Sequence, residues 1–149
     1  MLMAFKNPLN ESALSFPILE CFHILGFAMA VGTIALVDFR LLGFGLRRQT
    51  AAELSKALAP WTLFGLATVL LSGPMLFSSD PDMYYLNRSF QIKMVLLVLA
   101  LLFHFTIRRK VLRGESPADR NTLVACISLA LWASIIFAGI FIAFVAMPG

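Results

Sequence analysis

The sequence predicts an all-α integral membrane protein, a four-helix bundle with both termini outside. Three observations predict it. Four apolar runs each come close to the ~20 residues needed to cross a hydrocarbon core. Charged residues make up 13% of the 149, about half the share usual in a soluble domain. The basic residues gather in the loops after the first and third runs, which is the positive-inside pattern.

Residues 1–15 are polar and carry Pro8, Asn10 and Ser12. They read as an interfacial lead-in without a small-residue cleavage site, so no removable signal peptide is expected. The first span covers about 16–40 and stops at Gly43 and Gly45, residues that end helices readily. Thr50 followed by Glu53 has capping-box spacing, and Leu54 and Leu58 share a face. This predicts a short amphipathic surface helix at about 51–59. Pro60 opens the second span, about 60–77, and Gly73-Pro74 is expected to kink its far end. Asp80-Pro81 signals a turn, while Tyr84-Tyr85 and Trp61 suit an interfacial aromatic belt. The third span, about 90–107, holds Lys93 near its start and His104 near its end. Ser116-Pro117 reads as an N-cap with Pro at the first helical position. The fourth span runs over about 122–147. The whole chain, 1–149, reads as one membrane domain with no room for a separate soluble one.

Orientation follows from the loops. Arg40, Arg47, Arg48 and Lys56 mark the first as cytoplasmic, and Arg108, Arg109, Lys110, Arg113 and Arg120 mark the third. The second has only Arg88, with Asp80 and Asp82. The net charge of +4 is therefore explained by topology, and no nucleic-acid partner is expected. This implies a multi-pass membrane protein, with the lipid bilayer as the main partner. No GxxxxGK[ST], HExxH, GxSxG or CxxC occurs, so no hydrolase or nucleotide site is signalled. Cys21 and Cys126 fall in apolar runs at opposite ends of the bilayer and read as free, buried small hydrophobes. The seven methionines are scattered, unlike a soft-metal cluster.

Function is sought in the ionisable residues within the spans, where charge is costly. At 1.5 Å per residue, His23 lies roughly 6 Å and Glu20 roughly 10 Å outward of the midplane. Lys93 lies roughly 8 Å outward and His104 roughly 8 Å inward. Glu20, His23 and Lys93 thus form an outer cluster, and Asp38, Arg40, His104 and Arg108 an inner one. Two histidines in a helical bundle suggest haem b as cofactor. Their Cα atoms come out about 17 Å apart, from an axial offset of roughly 14 Å and a helix spacing of roughly 9 Å. Two imidazole arms on one iron reach about 13 Å. Each His therefore has its own site, or only one binds metal; strong tilt, a register error or a homo-oligomer would be needed to bring both to one iron. Glu20 is one turn from His23, and Gly26 and Ala30 on the same face leave space for a flat macrocycle or for close helix packing. His104 has a structural alternative, a hydrogen bond to Asp38 or a carbonyl. Lys93 reads either as snorkelling or as a cation for a propionate or anionic substrate.

The stretch His23-Ile24-Leu25-Gly26, Gly32 and Asp38-Phe39-Arg40-Leu41-Leu42, with Phe90-Gln91-Ile92-Lys93, His104, Leu131-Trp132 and Gly139, resembles a family of small uncharacterised four-helix bacterial membrane proteins. The resemblance covers nearly the whole chain. More distantly it is similar to HemJ-type protoporphyrinogen oxidases and CopD-type membrane proteins. His23, Gly32, Arg40, Lys93 and His104 match the HemJ pattern. That resemblance implies haem b at His23, activity linked to Lys93, and a cofactor site that includes Arg40. The expected function is a haem-b redox protein exchanging electrons with a quinone, porphyrin or redox protein partner. The expectation from the other class is a cofactor-free membrane subunit or small transporter, proton-coupled or copper-related.

Overall fold

The computed structural model describes residues 13–45, 48–114 and 117–145, excluding the side chains of residues 118, 143 and 145. The lead-in over 1–12, Arg47, the Ser116 cap and the end of the fourth span beyond 145 lie outside the described residues. Those described form helices only: α1 (Ser15–Leu41), α2 (Ala51–Ser79), the short α3 (Pro81–Leu86), α4 (Arg88–Leu112) and α5 (Ala118–Val145). α1, α2, α4 and α5 contain four segments long and apolar enough to cross a membrane.

Local signals set the ends. Gly43 has φ 88°, and its N–H donates to the Arg40 carbonyl while that of Phe44 donates to Phe39. This is a Schellman ending, which favours glycine at the left-handed position. Gly114, at φ 77°, closes α4 in a similar way. The capping box at α2 is formed: Glu53 N–H donates to Thr50 Oγ1 at 3.2 Å, and Thr50 N–H to Glu53 Oε2 at 2.8 Å. Thr50→Ala is expected to speed amide exchange over residues 51–54 about fivefold, leaving exchange near Gly65 unchanged. Asp80 caps α3, accepting from Met83 N–H, with Pro81 at its first position.

The break read at Pro60 is absent. The surface helix and the second span are one helix, with Pro60 and Pro74 inside it. Transmembrane helices tolerate proline because neighbouring groups satisfy the freed carbonyls. The cysteines also differ from expectation, since both are free but exposed.

The helices pack mainly as two antiparallel pairs, α1 with α2 and α4 with α5, joined through α1 and α5. In the first pair His23 meets Ser72, Ala30 meets Gly65 and Thr33 meets Thr62. Small and hydroxyl-bearing side chains let the two backbones approach closely there. Between the pairs lies the core of Ala30, Ile34, Leu66, Ala100, Trp132 and Ile135. Phe77, Tyr84 and Phe90 form a ring cluster where α2, α3 and α4 meet.

Candidate functional site

The polar residues of the spans gather at two levels, one at His23 and one at Asp38. At the first, His23 Nδ1 lies 2.7 Å from Ser72 Oγ. That hydroxyl is also 2.6 Å from the Thr68 carbonyl, which can only accept. The single hydroxyl proton goes to Thr68, so Ser72 Oγ accepts from His23 Nδ1–H. Neutral His23 therefore presents its lone pair at Nε2. Metal-binding histidines are commonly held in this way by a bond to the other ring nitrogen.

Lys93 stands near enough to His23 to act on it electrostatically. Two glycines border the pair. A Cβ at Gly139 would lie 3.4 Å from Lys93 Nζ, and one at Gly73 would lie 3.6 Å from His23 Cε1. Among the described residues no ion pair or hydrogen bond reaches Lys93. Glu20 is exposed one turn from His23, and its carboxylate acts on Tyr84. Burial pushes the Tyr84 phenol up, and the charges of Glu20 and Asp80 add to this.

Gly26 and Ala30 are on the His23 face as expected, but α2 fills the space beside them. A Cβ at Gly65 would come within 2.7 Å of both Ala30 N and Gly26 O. Arg40 is not in this cluster. It lies at the opposite end of α1, where its Nε donates to the Gln49 carbonyl at 2.6 Å.

The second level is a buried polar junction of α1, α4 and α5. Arg108 Nε donates to Asp38 Oδ1 at 2.8 Å, and Ser128 Oγ donates to Asp38 Oδ2 at 2.5 Å. Arg108 Nη2 donates to the Ile34 carbonyl at 3.2 Å. Asp38 is 0% and Arg108 3% exposed. Among the described residues His104 bonds neither Asp38 nor a carbonyl through its ring; its Nδ1 lies 3.5 Å from Arg108 Nη1. A guanidinium only donates, so neutral His104 keeps its proton on Nε2, the opposite tautomer to His23. His104 through Arg108 forms a π-helical turn, which turns these side chains toward α1 and α5.

Among the described residues no group of three or more His, Cys, Asp or Glu is placed to hold a metal ion. At the first level the hydrogen bonds leave His23 Nε2 open as a single donor nitrogen, while α2 closes the space beside Gly26 and Ala30. A cleft of about 210 Å³ is lined by Pro17, Ile18, Cys21, Phe22 and Leu25, and one of about 120 Å³ lies between α1 and α5. Both are below the ~300 Å³ typical of ligand pockets, and neither is lined by a histidine.

A family model matches residues 15–145, a stretch that includes both levels. The chain belongs to DUF6644, a family of unknown function. No curated protein and no solved structure matches this DUF6644 chain.

Sequence reasoning passed over Ser72, Ser128, Gly65, Gly73 and Gly139 as site residues. Gly65 and Ser72 are seven apart, two turns on one face of α2, which is the one pattern that could have marked that face. Ser128, in an unbroken apolar run, gave no such signal.

Proposed function

We propose that this DUF6644 protein is a multi-pass protein of a bacterial cytoplasmic membrane, both termini outside, that binds haem b through His23 and serves a redox role. The observation that carries this reading is the His23 geometry: Nδ1–H is held by Ser72, Nε2 keeps its lone pair, and Lys93, which has no ion-pair partner among the described residues, stands near it. His23 would supply the axial nitrogen, and Lys93 a counter-charge for a propionate. Exposed Glu20 would carry protons to and from the site. Bound haem b would supply one-electron chemistry, with a quinone, a porphyrin or a redox protein as partner. The loop charges support an outward position for the His23 end. Likeness to HemJ proteins supports the haem site more than the oxidase reaction, because Ala28-Met29-Ala30 stand where HemJ proteins carry a tryptophan.

The test is a reduced-minus-oxidised visible spectrum of protein purified in mild detergent. A Soret band that His23→Ala abolishes and His104→Ala retains is the expected result. Full haem in His23→Ala would overturn the ligand assignment.

A second reading is a cofactor-free subunit or small transporter. The closure of Gly26 and Ala30 by Gly65 favours it. Colourless protein that takes up no added haemin would favour that class.

A further inference from the structure

Fifteen residues separate His23 from Asp38 on α1, and fifteen separate Lys93 from Arg108 on α4. Asp38 and Arg108 are bonded to each other. Both helices run the same way, each meeting an antiparallel neighbour, so a tie at one level sets the alignment about 22 Å away. Apart from the shared core around Ala100, α1 and α4 have little direct contact, because α4 packs chiefly on α5.

We propose that the Asp38–Arg108–Ser128 junction, with its π turn, is the register peg of the bundle, and that these are positioning residues which hold Lys93 level with His23. The proposal rests on the reading of His23 and Lys93 as a binding site.

Three features support it. Arg108 is engaged on all three nitrogens, to Asp38, Ile34 and His104, so it fixes direction as well as distance. The π turn places one extra residue between Lys93 and the peg, which rotates the Lys93 end by about 100° relative to a regular helix. A separate tie agrees on the level. Phe77 stacks on Phe90, five residues beyond Ser72 on α2 and three before Lys93 on α4. Ser72, and with it His23, then lies within about 3 Å of the height of Lys93.

The test measures distances between spin labels in the full chain, with Cys21→Ala and Cys126→Ala as background. One label pair, Leu25→Cys with Val95→Cys, spans α1 and α4. The other, Leu25→Cys with Leu70→Cys, spans α1 and α2. All three positions are exposed, so His23 and Lys93 stay intact. In Arg108→Gln and in the near-isosteric Asp38→Asn, the α1–α4 distance should broaden and shift by about 5 Å, one helical turn. The α1–α2 distance should not move. An unchanged α1–α4 distance in either variant overturns the proposal. Loss of both distances in both variants also overturns it, because the junction would then hold the whole fold rather than its register. Neither distance depends on haem. Colourless protein with the predicted shift would sink the haem reading and leave the peg standing.

Discussion

Arg108→Leu is expected to destabilise the protein by about 3–5 kcal/mol, the usual cost of breaking a buried ion pair from one side. Asp38 has 0% exposure and, among the described residues, would keep only Ser128 as a side-chain partner. The Ile34 carbonyl would lose its Arg108 donor as well. The double variant Asp38→Leu/Arg108→Leu should recover most of the loss, because replacing both charges by apolar groups is often close to neutral. Reversible unfolding in mixed detergent, titrated with a denaturing detergent, would measure both. A single variant within about 1 kcal/mol of the parent would mean that water reaches Asp38.

The next largest effect is expected at Gly65. A Cβ there would lie 2.7 Å from Ala30 N and 2.7 Å from Gly26 O. Both are backbone atoms, so relief requires α1 and α2 to part. Gly65→Val should cost about 3 kcal/mol, at the upper end for overpacking. The cost should come with loss of the His23–Ser72 and Thr33–Thr62 bonds. Gly32→Ala is the control. Nothing lies within 4 Å of a Cβ at Gly32, and alanine there should stabilise the helix by up to about 1 kcal/mol. Equal stability of Gly65→Val and the parent would show that the seam is looser than these distances.

The helices were largely legible because their punctuation is local. Gly43, the Thr50–Glu53 box and Asp80-Pro81 act through neighbouring backbone groups, so their effect could be read without the fold. Pro60 misled because its cost depends on what surrounds the helix, and a membrane bundle absorbs it. The site was legible only as a list of ionisable residues. Depth estimates put Asp38, His104 and Arg108 at one level, and the structure brings them together. Helical spacing puts Arg40, two residues on, away from the Asp38 face, but depth does not give the azimuth at which Arg108 on another helix meets Asp38. The π turn at His104–Arg108 leaves no periodic mark in the sequence. The packing of Gly26 and Ala30 was likewise open, because a small residue admits a ligand or a neighbouring helix equally well.

The separation of Asp38 from Arg108 by 70 residues also bears on biosynthesis. The first hairpin, α1 with α2, has its own seam and can pack as soon as it enters the bilayer. Asp38 then has no Arg108 counter-charge until the ribosome has made the third span, which holds Arg108 near its end. Its place near the end of α1, one turn from the Gly43 stop, lets it wait at the lipid–water boundary at modest cost. The second hairpin brings both Arg108 and Ser128, so assembly of the two halves and pairing of that carboxylate are one event.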